Sequence, residues 1–190
     1  MNVGWGSKQT QFHGSLGKVA ASAPREPANA IGSSPDDDSY PRVSWRGDGA
    51  FFSVSSLEHS ESRQHRTIRV YDRNGVLQTF SEPVAGLEHT LNWRPSGNLI
   101  ASTQRFGYEG GGLGKEHRHD VIFFERNGLR HGEFSLRELA KISTDSGKER
   151  RWGYKVKEVM WNAESNILAV WIERDECDIG LRALYYMNKN

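Results

Sequence analysis

The amino-acid sequence predicts an all-β fold made of four-stranded antiparallel meanders. Three observations carry that expectation. One phrase is written three times, VSWRGDGAFF at 43–52, LNWRPSGNLI at 91–100 and VMWNAESNIL at 159–168. A second is written twice, IRVYDRNGVL at 68–77 and VIFFERNGLR at 121–130. Trp45, Trp93 and Trp161 stand 48 and 68 residues apart, so a base unit of roughly 40–50 residues repeats.

Taken in order, residues 1–42 read as a first strand segment followed by a loop. The stretch from 14 to 42 is rich in Gly, Ala, Ser and Pro and has little periodicity, the composition of a long surface connection. Repeat units then start near 43, 91 and 159. In each, an aliphatic residue (Val43, Leu91, Val159) precedes the tryptophan by two positions, the period of a half-buried strand. A turn of Gly, Pro, Ser, Asp or Asn follows, with Gly49 and Gly97 free to take positive φ and Pro95 presetting the turn. The apolar pairs Phe51-Phe52, Leu99-Ile100 and Ile167-Leu168 start the second strand.

A third strand ends in an aromatic-acid pair (Tyr71-Asp72, Phe124-Glu125) and runs into Asn74-Gly75 or Asn127-Gly128, which predict type I′ hairpins. Four strands of this kind per unit are the pattern of a WD40-like β-propeller blade. About three such blades in an incomplete ring are expected over 43–190. Inserted loops at about 104–119 and 136–155 fill the longer second interval, and the last blade is truncated. The three tryptophans are read as core packing between neighbouring strands.

Composition bounds the function. Across 190 residues the apolar share is 36%, with 6 Trp, 8 Phe and 6 Tyr to supply a core, since each aromatic buries a large area. A formal charge of +1 points to no class of partner. Cys177 is the single cysteine, so no internal disulfide forms, which suits a reducing compartment. The acids at 175, 176 and 178 disfavour its thiolate. No run of 18 apolar residues suggests a membrane span, and the N-terminus shows no apolar secretory segment.

Several local motifs invite chemistry and yield to plainer readings. GYEGGGLGKEH at 107–117 lacks the Walker glycine, having Glu109 in its place, and has Glu116 where Ser or Thr belongs. It reads as a glycine-rich loop. Arg46-Gly47-Asp48 reads as turn chemistry. The run Asp36-Asp37-Asp38 reads as a solvated acidic turn. His117, His119 and His131, with Glu116, lack the converging ligand set that zinc requires and read as exposed loop histidines. No GxSxG, CxxC or paired-carboxylate frame is present, so no catalysis and no cofactor are expected.

The segment GKERRWGYKVK at 147–157 is the binding candidate. Lys148, Arg150, Arg151, Lys155 and Lys157 can contact phosphates, and Trp152, with Tyr154, can stack on unpaired bases. The plain alternative is a solvated loop leading into a strand, with Trp152 and Tyr154 tucked against a blade.

VGWGSKQTQFHGSLGK at 3–18, SEPVAGL at 81–87, WRPSGNLIAST at 93–103 and the blade phrases together resemble the N-terminal propeller region of the Elongator complex protein 1 family, over most of 3–173. The resemblance implies a non-catalytic scaffold of tandem propellers. Its complex modifies the wobble uridine (position 34) of tRNAs. The partners it implies are a catalytic subunit dependent on radical S-adenosylmethionine and acetyl-CoA, and a second WD40 subunit. It also implies tRNA nearby, no membrane, and a cytoplasmic location with a nuclear pool as the alternative. The family's helical dimerisation region has no counterpart in this chain, and about three blades cannot close a ring, so the chain is expected to be a fragment, a mis-predicted gene model or a degenerate copy. IGLRALYYMNKN at 179–190 fits the family poorly. Two readings compete with the scaffold: a generic WD40 interaction module, and a non-functional truncated product.

Overall fold

A computed structural model describes residues 31–59, 64–106, 118–136, 154–174 and 177–186. These form three antiparallel sheets in sequence order. The first comprises β1 (Arg42–Trp45), β2 (Phe51–His59), β3 (Gln64–Asp72) and β4 (Leu77–Phe80). The second comprises β5 (Asn92–Trp93), β6 (Leu99–Arg105), β7 (His119–Glu125) and β8 (Arg130–Ser135). The third comprises β9 (Tyr154–Trp161), β10 (Ile167–Arg174) and β11 (Cys177–Tyr186). Every pairing is between strands adjacent in sequence, and every one is antiparallel.

Registers follow the repeated phrases. Trp45 pairs with Phe52, Trp93 with Ile100 and Trp161 with Leu168. Period-two alternation then sends one set of side chains to each face. Ile68 and Val70 of sheet one meet Leu91, Trp93, Ile100, Ile122 and Phe124 of sheet two in one apolar cluster. The opposite face of sheet two, with Ala101, Val121 and Phe123, meets Val159, Trp161, Leu168, Val170 and Ile172 of sheet three. Burying each such aliphatic or aromatic side chain contributes about 1.5–3 kcal/mol.

Two expectations are corrected. The Asn-Gly turns are not type I′, because Gly75 and Gly128 take φ 83° and 84° while neither asparagine has positive φ. One left-handed glycine after an ordinary turn is the bulged three-residue loop, and the register shifts beside both turns, between Val70 and Tyr71 and between Phe123 and Phe124. The three tryptophans are also unequal. Trp93 is 1% exposed and Trp161 6%, but Trp45 is 51% exposed. Trp93 and Trp161 are each covered by the sheet before their own, and no described sheet precedes that of Trp45.

Candidate functional site

The sheets are joined at two ends. At the hairpin end, each first turn touches the next. Gly47 N–H donates to the Pro95 carbonyl at 3.1 Å, and a Cβ on Gly47 would stand 2.6 Å from that oxygen. Ser96 N–H donates to Ser165 Oγ at 2.8 Å, and Arg94 Nε to the Ser165 carbonyl at 2.9 Å. The Arg94 guanidinium lies over Trp161, 5.3 Å from the ring centre. Arg46 Nε donates to Asp48 at 2.8 Å and its Nη1 to Asn98 Oδ1 at 3.0 Å, so the Arg-Gly-Asp triplet serves its own turn and the contact with the next. Asp48 is pulled down to about 2 by that hydrogen bond and by the Ala50 N–H.

The opposite end holds a charge network that the sequence reading missed. Arg66 lies on the same face of β3 as Ile68 and Val70, two and four residues on, and is 1% exposed. A guanidinium so buried demands a partner. Asp37 supplies it, accepting from Nε at 2.6 Å and Nη2 at 2.5 Å. Asp36 reaches Arg105 of sheet two and Lys155 of sheet three, the latter at 3.7 Å. Asp38 pairs with Arg42. Burial pushes the Asp38 carboxyl up, but the Arg42 hydrogen bond, His89 and the Tyr40 N–H together bring it below its ordinary value. The acidic run is thus a tie across all three sheets, which corrects the expectation of a solvated turn.

Glu88 is the second centre. His119 Nε2 lies 2.6 Å from Glu88 Oε2, Thr103 donates to that oxygen at 2.7 Å, and Ser34 donates to Oε1 at 3.1 Å. Burial alone would raise the Glu88 carboxyl; His119 and Thr103 outweigh it and hold it below the usual value. His119 is buried and stacked on Tyr154, ring centres 5.5 Å apart, so it is not an exposed loop histidine. His131 is exposed and pairs with Glu125 at 2.9 Å; Glu116 and His117 lie outside the described residues. Asp37, Asp38 and His89 bring ligand-capable atoms within 4.8 Å of one another. Arg66 and Arg42 already neutralise the two carboxylates, so the chemistry is that of an ion-pair network rather than a cation site.

Of the basic segment, Lys148, Arg150, Arg151 and Trp152 lie outside the described residues, as does the glycine-rich 107–117. Lys155 and Lys157 lie on β9. Lys155 is half-buried near Asp36, and exposed Lys157 pairs with Glu173 at 2.7 Å. Tyr154 is in the core, which removes it from base stacking.

Sheets that stack in sequence order, each covering the next one's tryptophan, and that remain unclosed define a partial WD40-type β-propeller. The family described as "ELP1 first N-terminal beta-propeller" matches over residues 1–190. Elongator complex protein 1 of Mus musculus is 45% identical over 173 residues, covering 91% of this chain and 11% of that protein. The Oryctolagus cuniculus protein of the same name is 46% identical over 173 residues, with the same coverage. The Saccharomyces cerevisiae one is 39% identical over 196 residues, covering 90% and 13%. The chain belongs to the Elongator complex protein 1 family. It spans about one-ninth to one-eighth of the length of these relatives.

Proposed function

We propose that the chain is a non-catalytic scaffold segment of Elongator, supporting modification of the tRNA wobble uridine by holding other subunits in place. The observation that carries this is colinear similarity along nine-tenths of the chain to proteins named Elongator complex protein 1. The partners of this reading are the catalytic radical S-adenosylmethionine and acetyltransferase subunit and the second WD40 subunit, in the cytoplasm. Propeller edges and rims suit such a role, because they present rigid surface without moving parts.

A tRNA contact through Lys148, Arg150, Arg151, Trp152, Lys155 and Lys157 belongs to the same proposal. Its support is the density of cations beside an aromatic residue. The first experiment is capture of the tagged endogenous protein, with bait mass and co-purifying proteins read by mass spectrometry. Recovery of Elongator subunits is expected; a bait that brings none overturns the scaffold reading. For the RNA contact, Ala at 150, 151, 155 and 157 should flatten the salt dependence of tRNA binding, and an unchanged slope rejects it.

A further inference from the structure

Two turns of this protein carry the same reactive pair in nearly the same local sequence. Arg73-Asn74-Gly75-Val76 joins β3 to β4, and Arg126-Asn127-Gly128-Leu129 joins β7 to β8. Asparagine before glycine is chemically labile, because glycine has no Cβ to keep its nitrogen from the preceding side-chain amide. Both asparagines are exposed. Asn127 is exposed although sheet one packs against its own sheet, so exposure at this turn position does not depend on what precedes sheet one.

The turns differ in which side chain caps them. Aspartate is short enough to bond the backbone two residues on. Asp72 Oδ1 accepts from the Asn74 N–H at 2.9 Å and from the Val76 N–H at 3.0 Å. The equivalent position of sheet two holds the longer Glu125, and there the asparagine caps the turn instead. Asn127 Oδ1 accepts from the Leu129 N–H at 3.0 Å, and its Nδ2 donates to Glu125 Oε2 at 3.2 Å. The Asn127 amide is therefore held at both ends. The Asn74 amide has no hydrogen-bond partner among the described residues, because Asp72 has taken its place.

We propose that Asn74 is a site of spontaneous deamidation in the folded protein, and that Asn127 is protected from it. Local opening of the turn frees the Gly75 nitrogen from the Asp72 carbonyl, 3.0 Å away. That nitrogen gives its proton to water and attacks Asn74 Cγ. The new N–Cγ bond forms, the Cγ–Nδ2 bond breaks, and Nδ2 leaves as ammonia with a proton from water. Water then opens the resulting succinimide at either carbonyl, leaving aspartate or isoaspartate at 74. No oxidant or reductant takes part. The isoaspartyl form runs the main chain through Cβ and Cγ and so lengthens a turn whose other closing bond is Asp72 N–H to the Val76 carbonyl at 3.0 Å. β4 follows that turn, and its Thr79 Oγ1 donates to the Asn127 carbonyl at 3.0 Å. Ageing at 74 therefore loosens a contact between sheets one and two.

The test is incubation of the 190-residue chain at mildly alkaline pH, folded and in urea. Peptic digestion in acid follows, and conversion at each asparagine is read by mass spectrometry. In urea the two sites, alike in local sequence, should convert at like rates. In the folded protein Asn74 should convert at least about tenfold faster than Asn127, whose two amide hydrogen bonds must break first. Asp72→Glu removes the aspartate cap, so Asn74 should slow towards the Asn127 rate. Glu125→Asp should speed Asn127. Equal rates in the folded protein overturn the proposal. So does an Asn74 that stays intact in the folded chain while the urea-unfolded chain converts. So does an Asn74 rate that Asp72→Glu leaves unchanged, once an intact urea transition shows that the variant folds.

Discussion

The backbone N–H of Trp93 donates to the hydroxyl of Ser44, 2.8 Å away and in the neighbouring sheet. One blade later, the N–H of Trp161 donates to Asn92 Oδ1 at 2.9 Å. Ser44 and Asn92 each stand immediately before a tryptophan in the recurring phrase. In an antiparallel pair alternate residues turn their N–H away from the partner strand, and the tryptophan is one of these. The residue before the tryptophan in the previous sheet is the acceptor. The repeat therefore carries its own latch.

Removing that acceptor leaves a buried N–H unpaired. Ser44→Ala should cost about 1–3 kcal/mol, the penalty for an unsatisfied buried donor, because Trp93 is fully enclosed. Asn92→Ala should cost a similar amount. Each is read as a fall in the urea midpoint at constant slope. Ser44 bonds the N–H of Trp93, the residue next to Asn92, so the double variant should depart from the sum of the two single losses, as neighbouring sites do. A Ser44→Ala midpoint equal to that of the wild type would deny the latch any energetic role.

Gly75 and Gly128 close equivalent turns with nearly equal φ, 83° and 84°. Their surroundings differ. A Cβ on Gly75 meets nothing within 4 Å, whereas one on Gly128 would collide with the Phe80 carbonyl, its carbon 2.9 Å away. Gly128 also accepts from Glu82 N–H at 3.0 Å. Gly75→Ala should cost about 1–2 kcal/mol, the price of a left-handed alanine. Gly128→Ala adds about 1–3 kcal/mol of overpacking against backbone that cannot yield. Thermal unfolding of the pair separates conformation from packing, and equal losses would contradict the argument.

Ser165 occupies the turn position held by Gly49 and Gly97 in the other blades, and it takes φ 62°. The strain is offset by its hydroxyl, which accepts from Ser96 N–H. Ser165→Ala keeps the strain and loses the bond, so a loss of about 1 kcal/mol is expected. Ser165→Gly loses the bond but relieves the strain and should lie nearer the wild type. Chemical denaturation ranks the three, and a glycine variant less stable than the alanine variant would reverse the account.

Much of the architecture was legible because it is periodic. The repeated Trp phrase and the aromatic-acid pairs placed β1 to β10 close to where they lie, since alternation alone decides which residues face a neighbour. The exposure of Trp45 was not legible, because it depends on whether a sheet precedes it and not on its own context. The charge network was half visible. Arg66 alternates onto the same face of β3 as Ile68 and Val70, which announces a buried cation. Nothing in the spacing pairs it with Asp37, 29 residues earlier. The acidic run read as solvated because local sequence cannot show which turns are roofed by other loops. The basic segment was judged by composition alone, and Lys155 and Lys157 meet carboxylates that distant chain brings to them.

Glu88 makes the stability of this end depend on pH. Its ordinary value is 4.5, and in the fold His119 and Thr103 hold it lower against the opposing effect of burial. The unfolded chain therefore takes up a proton at a higher pH than the folded one does. Ionised Glu88 stabilises the fold above its unfolded value, and that contribution is lost as pH falls through the lower folded value. Glu88→Gln removes the charge at every pH. It should destabilise the protein near neutrality by about 3 kcal/mol, the low end for breaking a buried pair, since the amide oxygen still accepts from Thr103. It should also flatten the fall in urea midpoint between about pH 6 and pH 3 relative to the wild type, as linkage requires of a group that no longer titrates. Parallel pH profiles for the two proteins would place the acid sensitivity elsewhere, with Asp38, also held below its ordinary value, as the remaining carboxylate of this network to test.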